Sequence, residues 1–176
     1  MDEVILVDKN NNQIGTEEKI KAHKEGKLHR AFSIFIFNNK KELLLQQRAK
    51  SKYHSNCLWS NSVCSHPRPN ETYSEATHRR LKEELGFDCN LRKVSCFIYS
   101  TSFNNGLIEN EYDCVFIGKY TNELIIPNKD EIMDYKWISV KELKEDLIRN
   151  PEIYSIWLGL ALKEITDLDI ENIIIE

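Results

Sequence analysis

The chain has no Cys-x-x-Cys pair, no apolar run of membrane-spanning length and no excess of positive charge. Its apolar stretches fall short of the ~18 residues a membrane helix needs, which removes a spanning helix from consideration. The five cysteines, at 57, 64, 89, 96 and 114, are odd in number and scattered. The missing Cys-x-x-Cys spacing speaks against a structural zinc knot, and the odd, scattered count argues for free thiols in a reducing cytosol rather than a disulfide framework. The N-terminal Met-Asp-Glu-Val-Ile-Leu-Val lacks the basic region of a secretory signal, so a cytoplasmic protein is expected. Proline and glycine are sparse, four and six residues, and neither a linker nor an internal repeat is visible. A single domain over residues 1–176, large enough for a sizeable core, is therefore expected. The net charge of −4 disfavours nucleic acid or a membrane surface as partner, while local basic clusters remain able to hold a small anion.

What is present alternates between strand-like and helix-like stretches. Val4 to Asp8 reads as a strand running into an Asn-rich turn, and Thr16 to Glu25 as a helix capped by Thr16 and stopped at Gly26. That helix carries Lys19 and His23 one turn apart on one face. His29 to Phe37 is strand-like, with His29, Ala31 and Ser33 on one face and an end that is apolar on both, as in a central strand. Glu42 to Arg48 pairs back, and 49–63 reads as a loop that gathers Arg48, Lys50 and Lys52. Thr72-Tyr-Ser-Glu75 is a capping box that opens a helix to Leu85, with Gly86 beyond it. Leu91 to Phe103 and Glu109 to Tyr120 read as strands, the second with Glu109, Glu111 and Asp113 on one face. A short strand at Tyr135 to Ile138 precedes a second capping box, Ser139 to Glu142, and a helix to about Arg149. Asn150-Pro151 ends it, a helix with Trp157 and Leu162 follows, and Ile173 to Ile175 reads as a frayed tail or an added edge strand. The class is α/β or α+β: a mixed sheet packed by helices.

The chemistry concentrates between Cys64 and Phe87. Residues 65–87 fit the Nudix pattern G-x5-E-x7-R-E-U-x-E-E-x-G-U, where U is apolar: Glu71, Arg79, Leu81, Glu83, Glu84, Gly86 and Phe87 fall in register. Two positions depart. Ser65 replaces the first glycine, and Arg80 replaces a carboxylate that belongs to the hydrolases' magnesium site. The exchange puts a cation where an anionic phosphate can be held. Out of that register, Arg79–Glu83 and Arg80–Glu84 would be ordinary surface pairs worth a few tenths of a kcal/mol. Glu109 and Glu111 share a strand face, and burying two carboxylates together requires a cation or a shared proton. His23, His29 and His66 lie on separate elements that only a fold could gather; His54 and His78 read as ordinary histidines.

Wider segments carry a closer resemblance. Ala22-His23, Leu28 to Phe32, Ser60 to Pro67, Arg79 to Gly86, Ile108 to Glu111 and Asp130 to Trp137 are similar to type 1 isopentenyl-diphosphate Δ-isomerases, the metal-dependent branch built on the Nudix fold. The matching segments run from about residue 5 to about 160, and the chain is most like that family's compact form. The resemblance implies a Nudix-type mixed sheet between helices and an enzyme that interconverts isopentenyl and dimethylallyl diphosphate. It assigns Cys64 and Glu111 as the acid–base pair, with the direction of each transfer open, Tyr99 as the partner of Glu111, and Trp157 as an aromatic wall for a cationic intermediate. It implies a metal site at His23, His29, His66, Glu109 and Glu111, suited to zinc or manganese. A Mg²⁺ with Glu84 would accompany the diphosphate, which Lys19, Arg48, Lys52 and Arg80 would hold. A monomer or weak dimer acting on a small isoprenyl diphosphate is expected. The alternative is a Nudix hydrolase that cuts a diphosphate linkage.

Overall fold

A computed structural model describes residues 2–175. Its centre is the strand whose two faces are both apolar, β3 (His29–Phe37), which also anchors the topology. One edge of β3 is taken along its whole length by β8 (Ile108–Lys119), running parallel, with His29 opposite Glu111 and Phe37 opposite Lys119. The other edge is shared in turn. β1 (Glu3–Val7) meets it at His29, β6 (Val63–Ser65) along Phe32 to Ile34, and β4 (Glu42–Arg48) at Phe37. β2 (Gln13–Glu18) extends the sheet beyond β1, and β7 (Leu91–Ser102) extends it beyond β8. β5 (Trp59–Ser60) and β9 (Ile132–Ser139) flank β4. Among the described residues this makes a nine-stranded mixed sheet.

Strand alternation sends successive side chains to opposite faces, and each face has its own core. Phe35, Phe37, Leu43, Leu45, Val115 and Ile117 pack on one side beneath α3 (Val140–Arg149), α4 (Ile156–Leu162) and α5 (Asp167–Ile175). Phe32, Ile34, Ile36, Leu44 and Val63 pack on the other, against Ala76, Leu81 and Leu85 of α2 (Tyr73–Leu85). The Thr72–Glu75 capping box is formed, and Gly86 closes the helix at φ 79°. A Cβ there would lie 2.9 Å from Ile126, so the position requires glycine on both conformational and spatial grounds.

Several expectations are corrected. The first helix, α1 (Lys19–Glu25), begins at Lys19 with Glu18 as its cap rather than Thr16, because residues 13–18 pair with β1. The stretch 49–63 is not all loop: β5 and the start of β6 lie within it. Ile173 to Ile175 are helical, as the end of α5. The cysteines are not all free. Cys96 and Cys114 are bonded to each other, being directly opposite on β7 and β8 with Cα atoms 4.0 Å apart. Cys57, Cys64 and Cys89 remain thiols. No helix among the described residues is long and apolar enough to cross a membrane.

Candidate active site

β3 and β4 touch at one residue pair, and the short strands β5 and β6 fill the space between them. The cleft that opens there draws on every layer. Cys64 of β6 sits opposite Ser33 of β3, Tyr99 comes from β7, and Glu109 and Glu111 come from β8. Lys19 is supplied by α1, Arg80 by α2, Trp157 by α4, and Arg48, Lys52, Tyr53 and His54 by the β4–β5 segment.

At one end His23, His29, His66, Glu109 and Glu111 converge, with one ligand atom from each within 4.8 Å of the others. The backbone arranges this. The β3–β8 register sets His29 beside Glu111, the two-residue strand period puts Glu109 on the same face, and β6 runs on into His66. Backbone carbonyls at Lys19 and Lys27 lie 2.6 and 2.8 Å from Nδ1 of His23 and His29, so each ring turns Nε2 inward. Nε2 of His23 and His29 and Oε2 of Glu109 are buried without an aligned hydrogen-bond partner. His23 Nε2 nevertheless lies 3.1 Å from Glu109 Oε2, and His29 Nε2 3.7 Å from Glu111 Oε1. His66 Nε2 meets Glu111 Oε1 at 2.9 Å, but three orphaned atoms on residues 0 to 3% exposed, aimed at the same point, fit a divalent cation. Burial pushes the Glu109 carboxyl up, but His23 and His54 facing it outweigh that and hold it well below the usual range. Burial lowers His66 to about 3, leaving a neutral imidazole.

Next to this cluster Glu111 Oε2 accepts a 2.6 Å hydrogen bond from Tyr99, whose burial and proximity to Glu111 keep it a phenol. Cys64 Sγ lies 3.7 Å from Arg48 Nη1. Burial raises the thiol to about 11 despite that guanidinium, so at neutral pH it carries its proton. Trp157 is 4% exposed, and its indole N–H donates to Ser60 Oγ at 3.0 Å, which fixes the ring. The Arg48 guanidinium stands 5.1 Å from the ring centre.

The opposite end is cationic. Arg80 donates to Glu84 at 2.6 Å and to Glu83 at 2.9 Å, and lies 3.2 Å from Glu131. Glu84 is 2% exposed, so the Arg80–Glu84 pair is buried and not the surface pair that helical spacing alone suggests. Burial raises the Glu84 carboxyl in spite of Arg80. Lys52 pairs with Glu131, and Lys19 lies over the Tyr53 ring at 5.1 Å. The other arginine of the motif, Arg79, makes a forked bond to Glu71 at 2.6 and 2.8 Å and so fixes the turn before α2.

Every residue expected at the site therefore meets in or beside one cleft. Sequence reasoning missed Ser33, Tyr53, Glu131 and above all His54, which is 6% exposed and places Nε2 2.7 Å from Glu109 Oε1. The available signal was the Tyr53-His54 pair directly after Lys52, an aromatic stretch inside a basic loop.

The NUDIX domain family matches residues 27–156. A protein of Photorhabdus laumondii named isopentenyl-diphosphate Delta-isomerase 2 is 52% identical, across 98% of this chain and 97% of its own. One of the same name from Aromatoleum aromaticum is 49% identical across 93% and 86%. An isopentenyl-diphosphate Delta-isomerase of Burkholderia multivorans is 46% identical across 91% and 90%. Among solved structures, DR0079 of Deinococcus radiodurans superposes with a TM-score of 0.76 at 19% identity, over 93% of this chain and 99% of that one. A MutT protein of Methanosarcina mazei does so at 0.63 and 19%, over 82% and 95%. These two likenesses concern the fold alone. With a fold shared by Nudix proteins, a helix whose hydrolase carboxylate has become Arg80, and whole-length identity of this order, the chain belongs to the Nudix family and, within it, to the isopentenyl-diphosphate Delta-isomerases.

Proposed function

We propose that the chain interconverts isopentenyl and dimethylallyl diphosphate through a tertiary-carbocation-like state, with Cys64 and Glu111 as the two proton-transfer groups. The observation that carries this is the pairing of a protonated, half-buried thiol with a Tyr99-bound carboxylate in one cleft whose far end is a cradle of cations. An alkene is a very weak base. Its protonation needs a donor held in place, water excluded, and a second group to take the proton leaving the other face. Cys64 serves one face and Glu111 the other, with Tyr99 holding Glu111 in position. The Trp157 indole offers its π-face to the developing positive charge. Lys19, Arg48, Lys52 and Arg80 bind the diphosphate.

His23, His29, His66, Glu109 and Glu111 hold one divalent ion, Mn²⁺ or Zn²⁺, and Glu84 contributes to a Mg²⁺ that accompanies the diphosphate. A cation at the first site neutralises the paired carboxylates and tunes the proton affinity of Glu111. The protein acts as one domain over 1–176, as a cytoplasmic monomer or weak dimer, on a small isoprenyl diphosphate and not on nucleic acid or membrane.

Incubation with isopentenyl diphosphate and Mg²⁺ in D₂O tests the reading. Acid-labile allylic product that carries deuterium, without released phosphate, is expected; phosphate release from a diphosphate bond overturns it.

Two further outcomes are expected. Replacing Trp157 with leucine removes roughly 1–2 kcal/mol of cation–π stabilisation, about 5- to 30-fold in kcat. Substrate KM should move far less, and a raised KM with kcat unchanged would assign Trp157 to binding alone. Glu131 occupies the cation cradle, bridging Lys52 and Arg80. Replacing it with glutamine is expected to tighten inorganic pyrophosphate binding by about fivefold, roughly 1 kcal/mol after screening. Titration calorimetry with pyrophosphate and Mg²⁺ reads this, and weaker binding would make Glu131 a support of the site rather than a competitor for its cations.

A further inference from the structure

We propose that His54 is a positioning residue for Glu109: it holds the carboxylate oxygen that faces away from the His/Glu cluster, and so sets how Glu109 presents the other oxygen to a metal. This rests on the reading of that cluster as a divalent-metal site. Glu109 is 3% exposed, and its two oxygens have different surroundings. Oε2 faces His23 at 3.1 Å and His29 at 3.9 Å, and lacks an aligned hydrogen bond. Oε1 faces His54 Nε2 at 2.7 Å. A carboxylate that binds an ion through one oxygen needs a fixed donor on the other, or it swings between one- and two-oxygen coordination; such outer partners typically govern metal affinity by ~10–100-fold.

The loop holds His54 for this task. Its ring stacks on Phe103 with centres 4.6 Å apart and planes 12° from parallel, and meets Trp157 edge-on at 5.8 Å. Its carbonyl accepts from Arg48 Nη2 at 3.3 Å, and Ser55 Oγ lies 3.3 Å from Nδ1. Glu109 Oε1 can only accept, so the ring proton belongs on Nε2, which leaves Nδ1 to accept from the Ser55 hydroxyl. Nε2 and Oε1 touch without the alignment of a relaxed hydrogen bond. Coordination through Oε2 is the change that would turn the carboxylate and bring them into line. His54 is not itself among the residues whose ligand atoms converge. One residue thus joins the metal-facing carboxylate and the aromatic wall through its ring, and the arginine beside Cys64 through its carbonyl.

The test compares His54→Phe, which keeps a stacking ring and removes both nitrogens, with His54→Gln, whose amide N–H falls near the position of Nε2. Co²⁺ is the probe, read by chelator competition and by its visible absorption. The expected result is ~10–100-fold weaker Co²⁺ binding and an altered spectrum in His54→Phe, with most of both restored in His54→Gln. Affinity and spectrum unchanged in His54→Phe, or equal weakening in both variants at equal thermal stability, would overturn the proposal by assigning His54 to packing. Wild-type protein that binds no Co²⁺ would instead sink the metal-site reading beneath it.

Discussion

Replacing Cys64 with alanine is expected to lower kcat by roughly 10²–10⁴-fold, the usual contribution of one positioned proton-transfer group. KM and metal content should change little. Three features lead there. The thiol lines the cleft from β6, and its backbone is pinned to β3 at Ser33. Burial pushes it up to about 11, so the protonated form prevails throughout the neutral range and falls away only as pH climbs through that value. Arg48, 3.7 Å from the sulfur, is placed to stabilise the thiolate left after donation. A wild-type rate that stays flat from pH 7 to 9 agrees with a protonated donor. Serine should rescue little, since its hydroxyl is the weaker acid. Steady-state kinetics with isopentenyl diphosphate decide the matter, and a Cys64→Ala protein at full rate would remove Cys64 from the proton-transfer pair.

Stripping the metal is the second large effect expected. Glu109 and Glu111 lie two positions apart on one strand face, both buried, among imidazoles whose nitrogens point at the same spot. Without a cation the like charges face each other at close range, offset only in part by contacts such as His66 Nε2 to Glu111 Oε1 at 2.9 Å, and the ligands lose their common partner. Metal held at about a thousand times its dissociation constant stabilises the fold by about 4 kcal/mol. For a chain of this size that is roughly 8 to 16 °C in midpoint. Differential scanning calorimetry on chelated and Mn²⁺- or Zn²⁺-reloaded protein, with turnover measured on the same samples, checks it. Superimposable melts would mean that these five residues do not share an ion.

The parts legible in the sequence were those decided locally. The Thr72–Glu75 box, the Gly86 stop and the stripe of Ala76, Leu81 and Leu85 appear on α2 where the periodicity puts them, because capping and helical spacing need no distant partner. β3 was readable as central because its apolar residues point both ways. The metal-type residues were legible through the resemblance, and Glu109 and Glu111 also through the cost of two carboxylates on one buried face. What was not legible depends on pairing across the chain. Residues 16–18 read as the start of a helix but are drawn into β2 by β1. β5 and β6 are two and three residues long and exist because β3 and β4 leave an edge for them. The Cys96–Cys114 bond is a consequence of register between β7 and β8, which residue spacing does not reveal. His54 enters the cleft on a loop whose Ser55 and Cys57 take φ values of 48° and 62°, a bend that no local pattern announced.

The parallel pairing of β3 with β8 also bears on how the molecule is made. Ser33 and Asp113, hydrogen-bonded across that pair, are 80 residues apart in sequence, and His29 faces Glu111 in the same ladder. Contacts so far apart form late, after the loop-closure entropy of the intervening chain has been overcome. The intervening segment contains α2 and its capping box, which can form on local information alone. The helix that gives the family its sequence signature is therefore expected to form early, and the cluster of imidazoles and carboxylates late. Until β8 docks in register there is no cavity for an ion to enter, and a slip of one residue would turn Glu109 and Glu111 to the opposite side of the sheet. An ion bound by these residues would therefore favour chains whose β3–β8 pair, with partners more than 80 residues apart, has closed in register.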